Sequence, residues 1–359
     1  GYATDIVTDL TIEFLEKRPK EKPFFMMCHH KAPHREWVPD AKNRAKFASL
    51  KIAEPATLHD DYATRPAALP ENRQTVANDL TRRDLKLEPP RELKGPERQK
   101  WLQTKPVEVE IEVDGVRRTL TGDALAKWKY QRYMQDYLAC VQSVDDNIGR
   151  LLAWLDANDL ARNTIVIYTA DNGFFLGEHG LYDKRFIYEE SLRIPFVVRW
   201  PGVIRGESVQ EAMTINTDFA PTFLDLAGLP IPSEMQGRSL LPLFRGQPPP
   251  DWRTSMYYRY YHDPGHHNTR AHLGLRTTTL KLVHYWKKDA WEMFDLTKDP
   301  NELRNIYDDT DQQEIVKKLK AELARLKTAV DDRDEFAKQL PPDGVDGQTP
   351  WRRAGARAR

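Results

Sequence analysis

The sequence predicts an α/β protein with a mixed, mostly parallel sheet, followed by a smaller C-terminal antiparallel sheet that carries a helix. Apolar runs that end abruptly in polar residues, at 23–34 and 164–173, alternate with helical stripes of apolar residues. After residue 251 the pattern changes to short alternating segments separated by turns, which is typical of antiparallel strands. We therefore expect a main region over residues 1–245, a small α+β unit over 251–330, and a polar tail over 331–359.

The composition excludes several classes of function. Among the 359 residues, 54 lysines and arginines balance 54 aspartates and glutamates, so no net field steers the chain to nucleic acid or to an anionic membrane. We expect neither as a partner. The longest apolar runs have the length of strands and are too short to span a membrane. Cys28 and Cys140 are too few to indicate a disulfide framework or a metal cluster.

The first region begins with a helix and an apolar strand. Apolar residues recur at helical spacing over residues 4–17, and residues 23–28 form a fully apolar run that predicts a strand. Three histidines follow this run. Histidine is easily poised to give a proton near neutrality, so His29, His30 and His34 are candidate proton donors, and the alternative is that they only cap the strand or bind backbone. We favour this alternative for His29 and His30.

The middle of the chain combines an irregular stretch with a long helix. Residues 41 to about 125 are rich in charge and proline and predict a variable insertion that lies over the surface. Within it, residues 107–113 alternate strictly, and Asp114-Gly115 precedes residues 116–120, which predicts a two-residue hairpin. Apolar residues at helical spacing predict one long helix over 124–156.

The run at 164–173 begins as an apolar segment that we expect to be a buried parallel strand, and it ends in a candidate cation site. Ligands of open α/β sheets gather beyond the carboxyl ends of the strands. Asp171 and Asn172 stand at such an end, and their oxygens suit a hard cation such as calcium or magnesium. The alternative is that Asp-Asn-Gly is only a turn signal.

A glycine-punctuated loop then brings Lys184 and Arg185 close to the presumed cation, before a second buried strand at residues 196–200. This order of residues predicts an anion pocket beside a cation. A helix is expected over residues 216–228, followed by a linker over 237–250.

The C-terminal region contains four predicted strands and an amphipathic helix. The predicted elements are strands at 255–261, 273–277, 280–286 and 291–296 and a helix at 313–330. Four histidines lie between residues 262 and 272, but their spacing matches no common zinc site. We expect instead that Arg270 and His272 contact the hydroxyls of a substrate or a neighbouring anionic group. An ordinary exposed loop is the alternative.

Several of these blocks resemble the sulfatase family of the alkaline-phosphatase-like superfamily, over nearly all of residues 1–335. The resemblance rests on the Ala-Asp-Asn-Gly block at 170–173, the Gly-Glu-His-Gly loop at 177–180, Lys184, and the Arg-Ile-Pro-Phe strand that begins at residue 193. It implies an alkaline-phosphatase-like sandwich. It also implies that this domain starts before the chain does and that residues 1–245 are its C-terminal part.

The resemblance assigns roles to the candidate residues. In that family the Asp and Asn after this strand bind Ca²⁺, and the corresponding residues here are Asp171 and Asn172. The lysine of the next loop, which corresponds to Lys184, binds the sulfate. The catalytic histidine of the Ala-Pro-His block corresponds to His34. It gives a proton to the departing alcohol, while a formylglycine supplies the nucleophile.

The chain also departs from the family pattern. Formylglycine forms from the first residue of a Cys/Ser-x-Pro/Ala-x-Arg motif, and no such motif is present in this sequence. Gly1 opens in mid-pattern, so we expect a truncated chain whose nucleophile and remaining metal ligands lie in an N-terminal portion outside it. We also expect the chain to be inactive alone.

The resemblance implies a sulfated carbohydrate substrate, such as 6-O-sulfated N-acetylglucosamine, and a periplasmic or secreted location. Two alternatives stay open. One is a phosphodiesterase or phosphonate hydrolase of the same superfamily, which would carry two transition metals. The other is a glycan-binding remnant without catalytic activity.

Overall fold

The computed structural model describes residues 1–334, so the predicted polar tail lies outside the described residues from 335 onward. The helices are α1 (Ala3–Lys17), α2 (Ala41–Phe47), α3 (Val76–Asp79), α4 (Gly95–Gln103), α5 (Gly122–Ala157), α6 (Glu189–Leu192), α7 (Phe219–Leu226), α8 (Leu241–Phe244) and α9 (Gln313–Ala329). The strands are β1 (Val109–Val113), β2 (Val116–Leu120), β3 (Val166–Thr169), β4 (Phe175–Leu176), β5 (Tyr182–Asp183), β6 (Phe196–Arg199), β7 (Ser255–Tyr260), β8 (His272–Thr277), β9 (Leu280–Tyr285) and β10 (Ala290–Asp295). Over residues 1–334, no helix combines the length and apolarity that crossing a membrane requires.

The chain forms two compact units that do not follow its linear order. The first unit contains Gly1–His59, Gln74–Thr164 and Leu176–Asp183. The second unit contains Asp60–Arg73, Ile165–Phe175 and the residues from Lys184 onward. The predicted division of the chain near residues 245–251 stays a prediction.

Helix α5 organises the first unit, because α1, α2 and α3 all pack against it. Its side chains Tyr133 and Met134 are buried. Helix α2 is joined to α5 through its N-cap residue Asp40, which accepts a hydrogen bond from Asn43 N at 2.8 Å and another from Ser143 Oγ. The helices predicted over 4–17 and 124–156 are confirmed.

The hairpin of β1 and β2 is confirmed, with Val109 opposite Leu120. The expectation that the whole stretch from 41 to about 125 lies over the surface is wrong for its middle part. Leu58, Leu69 and Leu80 are buried. The few large apolar side chains of this irregular segment are buried in the core. They recur at no regular spacing among the charged residues and prolines, so periodicity did not predict their burial.

Two strand predictions in the main region need correction. Residues 23–28 form no strand within the described part of the chain, and Phe25 is 61% exposed. Strand β3 pairs with β6 in an antiparallel ladder, so the expected buried parallel strand is wrong. Tyr168 of β3 is 40% exposed and Val197 of β6 is 63% exposed. The β-branched residues that suggested burial also suit an exposed ladder and carry no information about direction.

The second unit contains the predicted antiparallel sheet, with the strand order β10-β9-β8-β7. Helix α9 covers one face of this sheet. The shared core consists of Leu273, Leu275, Leu282, Met293, Val316, Leu319 and Leu323. The helix predicted over 216–228 is confirmed as a 3₁₀ turn that continues into α7. The predicted linker contains α8, whose Leu241 and Leu243 are buried, so this stretch is more than a linker.

Charged side chains are buried between the sheet and helix α6. Lys281 of β9 is fully buried and forms ion pairs with Glu302 at 2.6 Å and Glu189 at 3.0 Å. Arg276 also pairs with Glu189 at 3.0 Å. Burial alone would raise the pKa of Glu189, but the charges of Lys281 and Arg276 outweigh it and lower that pKa to about 2.

Glu292 of β10 is in a different situation. Its carboxylate is fully buried and accepts hydrogen bonds from Tyr188 Oη at 3.2 Å and Tyr285 Oη at 3.1 Å. Burial raises the pKa of Glu292 to about 7, although the two hydroxyls and the charge of Arg65 oppose this. The folded state therefore binds a proton here that the unfolded state releases near its ordinary pKa.

We predict that the Glu292→Gln substitution removes a pH dependence of stability. The folded pKa is raised, so the stabilisation is complete below the unfolded pKa of about 4.5 and is lost as the pH rises through about 7. Urea unfolding at pH 4.5 and pH 8 measures this loss, which we expect to be up to about 3 kcal/mol in the unsubstituted chain. The exposed Glu314→Gln serves as the control. Equal pH slopes for all three proteins would contradict the assignment.

Candidate active site

Asp171 and Asn172 lie just beyond the end of strand β3. The side chain of Asp171 is exposed and that of Asn172 is half-buried. Asn172 Nδ2 donates to the Gly173 carbonyl at 2.6 Å, which leaves Oδ1 as the acceptor of this side chain. The two residues therefore offer one carboxylate and one amide oxygen beside each other in the second unit.

Gly173 fixes the backbone that follows these two residues. Its N–H donates to Ser191 O at 2.9 Å, which joins this turn to helix α6. A Cβ atom at Gly173 would lie 2.1 Å from Glu190 O and 2.7 Å from Arg193 O. Only glycine permits this approach of two backbones.

The chemistry of this donor set fits calcium in kind but not in number. Calcium binds about six to eight oxygen ligands, many of them carboxylates. Asp171 and Asn172 offer oxygens of the right type. In the part of the chain that the structure describes, no group of three or more His, Cys, Asp or Glu residues could hold a metal ion. These residues therefore supply part of a calcium site at most.

Lys184 follows strand β5 and is half-buried. Its Nζ lies 5.9 Å from the centroid of the Phe174 ring, within the range of a cation–π interaction. The next residue, Arg185, has its carbonyl hydrogen-bonded to Tyr258 Oη at 2.7 Å. The C-terminal sheet therefore contacts the backbone directly after Lys184.

His34 belongs to the first unit, and its side chain is exposed. Its Nδ1 lies 2.7 Å from Arg35 O. A carbonyl only accepts, so Nδ1 carries the hydrogen and Nε2 is the nitrogen that can gain or give a proton. The expectation that His34 converges with Asp171 and Lys184 on one point stays a prediction.

A buried ion pair anchors the loop of His34. Arg35 Nε donates to Asp84 Oδ1 at 2.7 Å, and a second guanidinium nitrogen donates to Oδ2. Asp84 also accepts hydrogen bonds from Thr81 N and Oγ1. Burial would raise the pKa of Asp84, but Arg35 and Thr81 together lower it. The loop is therefore held at the residue next to His34.

Arg270 forms an ion pair with an acidic residue distant in sequence. Its guanidinium donates to Glu71 Oε2 at 2.9 and 3.1 Å, and Lys288 Nζ donates to Glu71 Oε1 at 2.6 Å. Lys288 and Arg270 together lower the pKa of Glu71. An anionic substrate at Arg270 would meet a cation that already has a carboxylate partner.

His272 is fully buried at the start of strand β8. Its ring stacks with Phe186, Tyr258 and Tyr260 at centroid distances of 5.4–5.9 Å. Burial lowers the pKa of His272 to about 4, and its Nδ1 lies 2.8 Å from Arg270 O. This environment favours a packing role over contact with a substrate. The predicted substrate roles of Arg270 and His272 stay predictions.

Sequence reasoning missed the charged partners of the candidate residues. Asp84 is 49 residues from Arg35, and Glu71 is 199 residues from Arg270. No local pattern relates residues so far apart. The only sequence signal for these partners was the position of Arg35 next to His34.

A family model described as Sulfatase matches residues 1–229. The chain belongs to the sulfatase family. A second model, described as N-sulphoglucosamine sulphohydrolase, C-terminal, matches residues 177–329. Both matches confirm the resemblance that the sequence blocks indicated.

Two relatives and one solved structure extend this finding. The chain is 44% identical over 355 residues to an N-acetylglucosamine-6-O-sulfatase of Bacteroides thetaiotaomicron, covering 94% of this chain and 64% of that protein. It is 26% identical to an N-acetylglucosamine-6-sulfatase of Capra hircus, covering 91% of this chain and 56% of that protein. It also matches a solved structure of BT4656 in complex with its substrate D-glucosamine-2-N,6-O-disulfate, with a TM-score of 0.84 and 41% identity.

The structural match covers 94% of this chain and 72% of the solved chain. It confirms the α/β, alkaline-phosphatase-like fold class. The chain spans less than two thirds of the length of the curated relatives it matches.

We predict that Gly173→Ala destabilises this sulfatase chain by about 2–3 kcal/mol, because the new methyl group forces the backbone of α6 away. Chemical unfolding of the purified chain measures the change. Gly149→Ala in α5 is the matched control, since its Cβ meets nothing within 4 Å and alanine favours a helix. A Gly173→Ala chain as stable as the Gly149→Ala chain would contradict the close approach.

Proposed function

We propose that the protein containing this chain is a sulfatase that hydrolyses sulfate monoesters of a glycan, such as 6-O-sulfated N-acetylglucosamine. The observation that carries this proposal is the 44% identity, over nearly the whole chain, to a protein named N-acetylglucosamine-6-O-sulfatase. The match to a structure that holds a 6-O-sulfated glucosamine supports the same class of substrate.

Calcium and formylglycine belong to the sulfatase family in general. When present, the calcium ion supplies positive charge to the sulfate oxygens, and the formylglycine hydrate supplies the attacking oxygen. This chain contains no Cys/Ser-x-Pro/Ala-x-Arg motif, so it cannot form the nucleophile itself. Asp171 and Asn172 are the residues here that would hold part of the calcium site.

Lys184 is proposed to bind the sulfate group through its ammonium. A lysine ammonium carries three donors and a full positive charge, which suits an anionic tetrahedral group. The face of the Phe174 ring lies 5.9 Å from Nζ, a cation–π contact that helps to hold the ammonium in place. Charge on the sulfate oxygens is thereby stabilised without transfer of a proton.

His34 is proposed to protonate the departing sugar alcohol from Nε2. An alkoxide is a poor leaving group, so the S–O bond breaks more readily when the oxygen receives a proton. Donation of Nδ1–H to Arg35 O orients the ring and leaves Nε2 as the exchanging site. The Arg35–Asp84 ion pair keeps the backbone at this position fixed.

We predict that Lys184→Met and His34→Ala each lower kcat/KM of the complete protein by about 10²–10³-fold on 6-O-sulfated N-acetylglucosamine. Chelation of calcium abolishes turnover, and Asp171→Ala raises the calcium concentration needed to restore it. Steady-state kinetics measure all three effects. The control is Lys298→Met, which removes an exposed lysine of the second unit.

Two further arms separate the alternatives. This chain, purified alone, is expected to show no hydrolysis of an aryl sulfate, because it has no nucleophile motif. A phosphonate monoester is expected to be a much poorer substrate of the complete protein than the sulfate ester. A kcat/KM of Lys184→Met and His34→Ala within threefold of the value for the unsubstituted enzyme would refute the proposal. A preference for the phosphonate would refute it as well.

A further inference from the structure

The segment that follows Lys184 lies against the C-terminal sheet, and its residues contact that sheet one after another. Tyr258 Oη of β7 donates to the carbonyl of Arg185 at 2.7 Å. The ring of Phe186 stacks on His272 of β8, with centroids 5.9 Å apart and an interplanar angle of 22°. The first two residues after the lysine are thus bound by neighbouring strands.

The next two residues continue the same contact. Ile187 packs on Gly274, where an added Cβ would lie 2.9 Å from Ile187 Cδ1. Tyr188 Oη donates to Glu292 at 3.2 Å. Phe186, Ile187 and Tyr188 are completely or almost completely buried. Burial of three large side chains in succession makes this segment a fixed support for the residue before it.

The peptide nearest to Lys184 adopts an unfavourable backbone conformation. Arg185 has a φ of 128°, a value that residues with a Cβ rarely adopt. Such a conformation persists only where surrounding contacts hold it. The Arg185 N–H donates to Ser191 Oγ at 3.2 Å, and its carbonyl accepts from Tyr258.

Tyr258 is itself held in place. Its ring stacks on His272 at 5.4 Å with an interplanar angle of 23°, and His272 is fixed in turn by its contact with Arg270 O. The phenol hydroxyl therefore reaches the Arg185 carbonyl from an ordered position. Burial raises the pKa of Tyr258, so the hydroxyl stays protonated and able to donate.

We propose that Tyr258 is a positioning residue for Lys184: by holding the Arg185 carbonyl, it fixes the backbone from which the Lys184 ammonium reaches the sulfate group. The inference rests on the proposed function, in which Lys184 binds sulfate. It adds a role for the C-terminal sheet, which contributes to sulfate binding through the backbone that it supports.

The chain offers a matched pair of variants to test this role. Tyr258→Phe removes the hydroxyl that binds Arg185 O, whereas Tyr257→Phe removes the hydroxyl of the adjacent residue, which donates to Asp332. Neighbouring residues of a strand point to opposite faces of the sheet, and Tyr257 packs on the core shared with α9. Tyr258→Phe loses the hydrogen bond to Arg185 O, whereas Tyr257→Phe loses the bond to Asp332 and a 3.5 Å bond from Arg259 Nη1. Only the bond of Tyr258 reaches the segment after Lys184.

The first measurement is hydrogen–deuterium exchange of the complete protein, which requires no activity. We expect Tyr258→Phe to raise the exchange of peptides covering residues 184–190 about three- to tenfold, as expected for one hydrogen bond. Tyr257→Phe is expected to leave these peptides unchanged. Equal exchange in Tyr258→Phe and the unsubstituted chain would overturn the proposal.

The second measurement is inhibition of the complete protein by inorganic sulfate. We expect Tyr258→Phe to raise the inhibition constant about three- to tenfold and Tyr257→Phe to leave it unchanged. In a Lys184→Met background, Tyr258→Phe is expected to have no further effect, because the group it positions is absent. A full additional effect in that background would overturn the positioning role.

The outcomes separate this inference from the proposed function. If Lys184→Met leaves the inhibition constant unchanged, or the complete protein has no sulfatase activity, then the proposed function fails; the exchange measurement still decides whether Tyr258 holds the segment. If Lys184→Met weakens sulfate binding and Tyr258→Phe does not, then the proposed function stands and the role of Tyr258 is refuted.

Discussion

The burial of Phe186, Ile187 and Tyr188 against the C-terminal sheet is the constraint on which the geometry near Lys184 depends. Next to these residues, Arg185 has an unusual backbone conformation, with its N–H bound to Ser191 and its carbonyl bound to Tyr258. Helix α6 follows these three residues directly, and its backbone accepts a hydrogen bond from the Gly173 N–H. The segment with Asp171 and Asn172 and the segment with Lys184 are therefore both held by structure that lies further along the chain.

Buried charge strengthens this arrangement. Lys281 pairs with Glu189 at the start of α6 and with Glu302, so the helix that receives Gly173 is joined to β9 by ion pairs away from water. Removing one partner of such a pair leaves the other charge uncompensated and is strongly destabilising. Electrostatic and apolar contacts thus hold α6 and the sheet together.

Periodicity predicted the long helix α5, the β1–β2 hairpin and the antiparallel sheet with α9, because each depends mainly on a local pattern of apolar residues. Local pattern did not predict the direction of β3 or the burial of Leu69, since both depend on what packs against them. The family blocks singled out the candidate residues. Their partners, such as Asp84 for the loop of His34, are distant in sequence and became visible only in three dimensions.

We propose that Asp171 binds calcium and Lys184 binds sulfate in the complete sulfatase. The most direct measurement is a crystal structure of the complete protein grown with calcium and inorganic sulfate. We expect a calcium ion bound by the Asp171 carboxylate and a sulfate oxygen within about 3 Å of Lys184 Nζ. Calcium held by other residues, with sulfate bound away from Lys184, would contradict it.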